Sequence, residues 1–162
     1  MNCYILYCQT LKMDKVCLFL NRRKQVHAYI PQMEKYIASK ETMILQVMFP
    51  GYVFVETTLD QLEFDAFLSS MDEEKDGIIR ELRKEDVSAL TDDEKDLLHK
   101  LLNENGILVM SEGYKENGVT VVTDGPLKEF QQDIVAVNKK DMLAILRIQF
   151  LNRKIKAGLR VR

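Results

Sequence analysis

The stretch that decides the fold of the first half of the chain is Met48-Phe49-Pro50-Gly51-Tyr52-Val53-Phe54-Val55-Glu56. Its aromatic and β-branched residues are typical of a β-strand. Because side chains on a strand alternate between two faces, Phe49, Val53 and Val55 are predicted to face a core. Tyr52 and Phe54 are then predicted to face outward, where two aromatic rings suit a partner helix. The alternative is that the chain's own helices cover this outer face.

Shorter strands and helix-capping patterns surround this stretch. Strands are predicted over 4–7 and 26–30, where apolar and aromatic residues cluster. Asp14 is predicted to cap a first helix that runs to about Lys24. Two capping-box patterns, each of which predicts a further helix, pair Thr58 with Gln61 and Thr91 with Glu94.

The last third of the chain has a different pattern, in which short strands alternate with turns. The turn Asp124-Gly125-Pro126 separates a strand near Val119 from strands predicted over 134–137, 142–150 and 155–161. In the last of these, every second residue is apolar and most of the residues between them are basic. Short strands at this spacing predict a small barrel with an apolar interior and a basic exterior.

The boundary between the two patterns lies near Asn103-Glu104-Asn105-Gly106, a stretch that suits the end of a helix. We predict a first domain over 1–104, a linker over 105–113 and the barrel over 114–162. The predicted class is α+β: an α/β domain with a mainly antiparallel sheet flanked by helices, followed by the β-barrel.

The composition is that of a globular protein. Of 162 residues, 46% are hydrophobic and 30% are charged, which argues against disorder over most of the length. No apolar run approaches the roughly 20 residues that span a bilayer, and the N-terminus lacks a basic signal-peptide region. We therefore predict a cytoplasmic protein that does not contact membranes. The three cysteines Cys3, Cys8 and Cys17 crowd one end and predict free thiols, with no disulfide, metal site or cofactor.

Catalytic signatures are missing from the sequence. It contains no Gly-rich phosphate loop, no H-E-x-x-H and no G-x-S-x-G. Cys17 and His27 have the chemistry of a nucleophile and a base, but the predicted elements give no reason for them to meet. We predict no catalytic residue and no enzymatic activity.

Charge is distributed unevenly along the chain. Acidic residues dominate between Glu56 and Asp96, whereas basic residues dominate from Lys139 to Arg162. Such asymmetry indicates two units with different partners, or two solvated surfaces of opposite sign.

Two sequence blocks carry the functional signal. The first is Met48 to Glu56; the second is Val121 to Phe130, followed by Phe150-Leu151-Asn152-Arg153. The first block resembles the signature of the N-terminal domain of NusG-type transcription elongation factors. The second resembles the KOW barrel of the same family, with its D-G-P turn and its F-x-G-R motif. The order and spacing of the blocks fit the family over nearly the whole chain.

The chain departs from the family pattern at three places. Gln132 and Asn152 stand where the family's barrels have glycine, and Cys3-Tyr4 stands where the first strand has Trp-Tyr. The start, Tyr4 to Cys8, resembles specialised paralogs of the RfaH and LoaP type. This resemblance implies an operon-specific antiterminator. The alternatives are a general NusG-like factor and a KOW-type RNA-binding or ribosome-binding module.

The resemblance also implies partners. The N-terminal domain is expected to bind the clamp helices of the largest RNA polymerase subunit and to suppress pausing and termination. Tyr7, Tyr52 and Phe54 match family positions that contact those helices. The barrel is expected to bind a small-subunit ribosomal protein or the termination factor Rho, and the protein is expected to be a monomer.

Specialised paralogs recognise an element in exposed DNA or in nascent RNA, and an RNA hairpin is favoured here. Cations at the first helix are the predicted site because they can pair with phosphates. The rival site is the outer basic face of the barrel, formed by Lys154, Lys156, Arg160 and Arg162, and the remaining alternative is a solvated helix face without a ligand. The predicted nucleic-acid-binding residues are Lys12, Lys15, Arg22, Arg23 and Lys24.

Overall fold

The computed structural model describes residues 1–83 and 89–162. In these residues the helices are α1 (Met13–Leu20), α2 (Gln61–Ser69) and α3 (Asp92–Leu101). The strands are β1 (Asn2–Cys8), β2 (Val26–Tyr29), β3 (Gln32–Ile37), β4 (Thr42–Val47), β5 (Tyr52–Thr57), β6 (Ile78–Glu81), β7 (Ile107–Leu108), β8 (Ser111–Glu116), β9 (Val119–Asp124), β10 (Ile134–Asn138), β11 (Leu143–Phe150) and β12 (Arg153–Val161).

The chain divides into two compact units. The first comprises Met1–Pro31 and Phe49–Asp96, and the second comprises Gln32–Met48 and Leu97–Arg162. None of the helices in the described residues is long and apolar enough to cross a membrane.

The first unit is built on a four-stranded sheet in the order β2-β5-β1-β6. All of its strand pairs are antiparallel. In the inner strands, Tyr4 to Leu6 and Val53 to Val55 are buried whichever face they occupy. Continuous apolar runs of this kind are typical of strands that are covered on both faces.

The strand within the stretch from Met48 to Glu56 is shorter than predicted. β5 begins at Tyr52, and Phe49-Pro50-Gly51 forms a turn in which the Tyr52 amide donates to the Phe49 carbonyl at 3.1 Å. Gly51 has a φ of 93°, a conformation that glycine adopts without steric cost. Phe49 therefore reaches the core from a turn rather than from the strand.

α2 packs against the sheet through aromatic rings. The Tyr4 and Phe64 rings stack with centroids 4.1 Å apart and planes 5° apart. Phe64 and Phe67, three residues apart and so on one side of α2, are both buried. Burying each such ring contributes about 1.5–3 kcal/mol to folding.

The first helix is also shorter than predicted. α1 begins at Met13, so Asp14 lies in its first turn and is not the cap. The side chain of Asn21 ends the helix: it donates to the Ala28 carbonyl at 2.8 Å and accepts from the Ala28 amide at 2.7 Å. These bonds turn the chain directly into β2, so the predicted extension of the helix to Lys24 is wrong.

A capping box opens α2, but at a different place from the one predicted. The Asp60 carboxylate accepts from the Glu63 amide at 2.8 Å, and the Glu63 carboxylate accepts from the Asp60 amide at 3.0 Å. The predicted pair, Thr58 and Gln61, lies two residues too early. Aspartate is a strong N-cap, and glutamate at the third helical position completes the box. Asp60 and Glu63 therefore cap the helix in place of Thr58 and Gln61.

α3 begins and ends as the sequence predicted. Thr91 and Glu94 form the capping box, with reciprocal bonds of 3.0 and 3.2 Å. After the helix, the Asn103 side chain accepts from the Asn105 and Ile107 amides at 2.9 and 3.0 Å. Gly106 follows with a φ of 74°, which suits a residue in a helix-ending turn.

The second unit contains a five-stranded sheet in the order β10-β11-β12-β8-β9. β12 pairs in parallel with β8, and the other pairs are antiparallel. The alternation predicted for β12 is confirmed, because its inner residues are buried and its outer lysines are exposed. The buried core residues of the sheet and its connections are Val122, Leu127, Phe130, Ala144, Leu146, Phe150, Ile155, Ala157, Leu159 and Val161.

A hairpin of β3 and β4 belongs to the same unit and forms a three-stranded sheet in the order β4-β3-β7. β7 pairs in parallel with β3 through Gln32 and Met33. β12 approaches the hairpin at Gly158, where an added Cβ would lie 2.9 Å from the Glu34 carbonyl oxygen. Glycine at this position therefore permits the close approach of the two backbones.

The predicted class is confirmed: the chain is α+β, with mainly antiparallel sheets, flanking helices and a curled C-terminal sheet of the small-barrel type. Within the predicted linker 105–113, Ile107–Leu108 forms β7 and β8 begins at Ser111. The domain limits 1–104 and 114–162 stay predictions.

Candidate functional site

The first candidate surface is the aromatic side of the central sheet in the first unit. β1 and β5 pair so that Ile5 lies opposite Phe54 and Tyr7 lies opposite Tyr52. β2 adds Tyr29 opposite Phe54. Because directly paired residues point to the same face, these five side chains share one face of the sheet.

Tyr7 and Tyr52 form the accessible end of this face. Their ring centroids lie 5.3 Å apart and both side chains are half-buried. The Arg80 guanidinium lies 5.9 Å from the Tyr7 ring centroid, within the range of a cation–π contact. An added Cβ at Gly51 would lie 3.0 Å from the Tyr7 ring, so this glycine makes room for the ring. The arrangement presents two aromatic rings and a guanidinium side by side.

Phe54 does not lie on an exposed outer face, and that part of the prediction is wrong. Its side chain is 0% exposed. Its ring centroid lies 5.7 Å from that of Tyr29 and 5.8 Å from that of Phe49. The alternation rule failed because both faces of β5 are covered, which is the alternative that the sequence left open. Any contribution of Phe54 to binding would have to act through the rings packed on it.

The second candidate surface holds the cations predicted at the first helix. Lys12 donates to Asp76 at 3.0 Å, and Lys15 also forms an ion pair with Asp76. Arg23 donates to Glu74 at 3.0 Å. The structure therefore pairs three of the five predicted cations with acidic residues near the turn before β6.

The remaining two cations lie beyond the end of α1. The Arg22 guanidinium lies 4.6 Å from the Phe19 ring centroid, and the Lys15 ammonium lies 5.7 Å from the same ring. Lys24 is exposed. Arg22 and Lys15 thus gather at one ring, although Arg22 is not part of the helix.

The pKa of the Asp76 carboxyl reflects its contacts with these lysines. Hydrogen bonds from Lys15, and next from Lys12, hold the pKa of its carboxyl below the ordinary value of 3.8. Asp76 lies more than 60 residues from both lysines in the sequence. No sequence pattern pointed to this partner, because the contact forms only when the turn over Glu73–Lys75 and β6 bring the segments together.

The thiols are buried and poorly ionised. Burial raises the pKa of Cys3 and of Cys8 to about 12. Burial also raises the pKa of Cys17, whose sulfur donates to the Ala28 carbonyl at 3.2 Å. In residues 1–83 and 89–162 no group of three or more His, Cys, Asp or Glu side chains is placed to hold a metal ion.

Cys17 and His27 make separate contacts. Whereas the sulfur of Cys17 bonds to the backbone of Ala28, the exposed His27 ring stacks on Tyr29 with centroids 5.7 Å apart. Since His27 and Ala28 are neighbours on β2, their side chains point to opposite faces of the sheet. No contact between Cys17 and His27 is found in the described part of the chain.

Comparison with known proteins identifies a family for more than half of the chain, from its N-terminus onward. The family model described as transcription termination factor NusG matches residues 1–99. These residues include the aromatic face and the α1 cations. No curated protein sequence matches the chain.

The fold of the whole chain is also found among solved structures. A structure described as "Domain interaction in Thermotoga maritima NusG" aligns with a TM-score of 0.56 and 14% sequence identity. The alignment covers 98% of this chain and 93% of that chain. At this identity the likeness concerns the fold, including that of the C-terminal barrel.

Proposed function

The chain belongs to the NusG family, and from this membership we propose that it binds RNA polymerase and acts as a transcription elongation or antitermination factor. The observation that carries the proposal is the pair of half-buried tyrosines on the sheet, Tyr7 and Tyr52, inside the matched region. Partly exposed aromatic rings are common anchors in protein interfaces because they bury much apolar area with little loss of side-chain freedom.

The proposed partner is the pair of clamp helices in the largest polymerase subunit. A helix laid on the aromatic face would bury the Tyr7 and Tyr52 rings, while Arg80 beside them could pair with an acidic residue of that helix. Phe54 would not touch the partner, because its side chain is fully buried and packs on Tyr29 and Phe49.

Polymerase binding is tested with Tyr7→Ala/Tyr52→Ala in the full chain. We expect the double variant to lose polymerase binding by more than about tenfold, since hot-spot residues contribute about 2 kcal/mol each. Tyr114→Ala, which removes a tyrosine that is 38% exposed on β8, is the matched control. A folded double variant that binds polymerase and promotes readthrough as well as the parent would refute the proposed surface.

We further propose that recruitment is operon-specific, through a nucleic-acid element for which an RNA hairpin is favoured. The exposed cations after α1, Arg22 and Lys24, support this proposal because Arg22 is also held in place by the Phe19 ring. Transcription in vitro on templates with and without the native leader separates this proposal from a general factor. Equal readthrough on both templates would favour the general factor.

For the barrel we propose the family's partners, a small-subunit ribosomal protein or Rho. Its small size and the exposed lysines of β12 fit an interaction module. Pull-down of each purified candidate by the full chain tests this proposal, and binding of neither would refute it.

A further inference from the structure

The strand β4 lies at an edge of its sheet, although its sequence is that of an enclosed strand. Met43-Ile44-Leu45 is a continuous apolar run, and such runs are typical of strands that are covered by other parts of a protein. Here the three side chains are instead 38%, 41% and 50% exposed. In the described part of the chain β3 is the one strand that bonds to β4. The other long side of β4 therefore lacks the neighbour that its sequence suits.

The edge strands of the first unit are protected against pairing with another chain. In β2, the Asn21 side chain occupies both the amide and the carbonyl of Ala28. β6 carries the charged residues Arg80 and Glu81, and its register against β1 is interrupted. Occupied backbone groups, charges and bulges are devices by which native proteins prevent edge-to-edge pairing. Neither strand of the first unit therefore offers a regular open edge.

Among the described edge strands of the second unit, β4 differs from the others. β7 has two residues, and β9 and β10 both shift register against their neighbours. On β9, the Gln131 side chain also accepts from the Val122 amide at 2.9 Å. β4 has none of these devices, because Thr42–Val47 contains no charge and no proline and pairs with β3 without a register shift. A regular, apolar and uncharged edge of this kind is open to strand pairing.

The sequence of β4 is complementary to itself in an antiparallel arrangement. Around a two-fold axis at Ile44, this residue would lie opposite Ile44 of a second copy, and Met43 would lie opposite Leu45 of that copy. Directly opposed residues of an antiparallel pair point to the same face and interact there. Apolar pairs would therefore line both faces of the junction, and the three exposed side chains of each copy would be covered.

The charges of the hairpin do not oppose this pairing, and its area sets its strength. Glu41 would lie opposite Val47 of the second copy, so the charged end of each strand would meet an uncharged end. Lys35 pairs with Ile44 and would lie about 14 Å, three strand spacings, from its counterpart, beyond the Debye length of about 8–10 Å. A strand about 20 Å long covers on the order of half of the roughly 800 Å² per partner of a standard interface. The pairing should therefore be reversible and depend on concentration.

We propose that β4 pairs with β4 of a second copy of this chain, antiparallel and centred on Ile44. The pairing joins the three-stranded sheets of the two copies into one continuous sheet. An interface of this type is isologous: the same strand of each copy meets the other, and the assembly closes at two chains. The inference does not rest on the proposed polymerase partner, and it replaces the monomer that the family resemblance implies.

The test is sedimentation velocity of the full chain from about 1 to 100 µM, the range of weak protein association. The parent is expected to pass from monomer to dimer as its concentration rises. Ile44→Lys and Ile44→Glu are each expected to weaken the dimer at least about tenfold, because like charges would lie directly opposite each other. An equimolar mixture of the two variants is expected to restore it, since opposite charges then face each other, and this also shows that both variants are folded. The matched control is Leu62→Lys, at a leucine that is 81% exposed on α2; it should dimerise like the parent.

Four outcomes would overturn the proposal. The first is a parent that stays monomeric at the highest concentration. The second is a dimer that Ile44→Lys leaves unchanged or that Leu62→Lys weakens equally, because the interface would then lie elsewhere. The third is a mixture that stays monomeric, which would exclude pairing centred on Ile44. The fourth is a monomeric parent whose binding to polymerase is weakened by Ile44→Lys, since β4 would then pair with a segment of polymerase in place of a second copy.

Discussion

At the scale of single residues, Tyr52 and Phe54 lie on the same face of β5 but differ in exposure. Both follow the same turn and both point to the same face of the sheet. Tyr52 is half-buried at the end of that face, whereas Phe54 is enclosed by neighbouring rings. A substitution at Tyr52 should therefore report on binding, and one at Phe54 on stability.

The first prediction compares these two residues. Phe54→Ala is expected to lower the free energy of unfolding by about 3–5 kcal/mol, since it leaves a cavity in a closed core. Tyr52→Ala is expected to cost clearly less, because water already reaches part of the ring. Urea unfolding of both variants measures the difference. Equal losses would mean that the burial assigned to Phe54 is wrong.

The second prediction concerns the three thiols. At about pH 8 the buried Cys3 and Cys8 are expected to resist alkylation, since their pKa of about 12 leaves almost no thiolate. Cys17, which is half-buried, is expected to react first, although still more slowly than an unfolded chain. Mass spectrometry of the native and urea-treated protein follows each site. Fast labelling of Cys3 or Cys8 without urea would contradict the buried placement.

At the scale of elements, the turn between β9 and β10 depends on a glycine and a serine. The Ser111 hydroxyl accepts from the Leu127 amide at 3.0 Å. Gly125 has a φ of 96°, and an added Cβ would lie 2.6 Å from the Ser111 oxygen. The D-G-P turn is thus fixed both by its backbone conformation and by lack of space.

The third prediction compares this glycine with one that has open space around it. Gly118→Ala places a Cβ in open space at a φ of 78°, so we expect only the conformational cost, about 1–2 kcal/mol. Gly125→Ala adds the clash with Ser111 to a φ of 96° and a ψ of −179° that essentially only glycine adopts, so it is expected to cost more. Thermal or urea unfolding of the two variants gives the difference. A smaller loss for Gly125→Ala than for Gly118→Ala would refute the proposed crowding.

The fourth prediction concerns the contact between α1 and the turn before β6. The lowered pKa of Asp76 means that its ion pairs stabilise the fold above the ordinary value of 3.8, and that this stabilisation is lost as pH falls through the lower folded value. Asp76→Asn should therefore be less stable than the parent at neutral pH, and the gap should close on acidification. Urea midpoints across pH measure it. A gap that is independent of pH would exclude this electrostatic origin.

At the scale of the whole molecule, strand position predicts the order of local opening. The strands with a neighbour on both sides are β1, β3, β5, β8, β11 and β12, whereas β2, β4, β6, β7, β9 and β10 are at sheet edges. Inner strands open only with their unit, so their amides should exchange most slowly with solvent. Hydrogen exchange followed by NMR tests this fifth prediction. Exchange in β12 as fast as in β9 would contradict this order of opening.

Much of this architecture could be predicted from local patterns. The period-two alternation of Ile155 to Val161 and the capping box of Thr91 and Glu94 specify their elements by themselves. The burial of Phe54 could not be predicted, because an alternating pattern does not reveal whether the second face is covered. The ion pairs of Asp76 join segments far apart in sequence, and a single sequence gives no signal for such contacts.

The pairing of β12 has a consequence for synthesis on the ribosome. In the part of the chain that the structure describes, the hairpins β8–β9 and β10–β11 are hydrogen-bonded into one sheet only through β12. Until residues 153–161 emerge, those hairpins have no common sheet, whereas the sheet that carries Tyr7 and Tyr52 has all its strands once residue 81 has emerged. Since chains elongate at about 5–20 residues per second, several seconds can separate the two events. A nascent chain would thus display its aromatic face before its barrel exists, which favours docking to polymerase while translation is still under way.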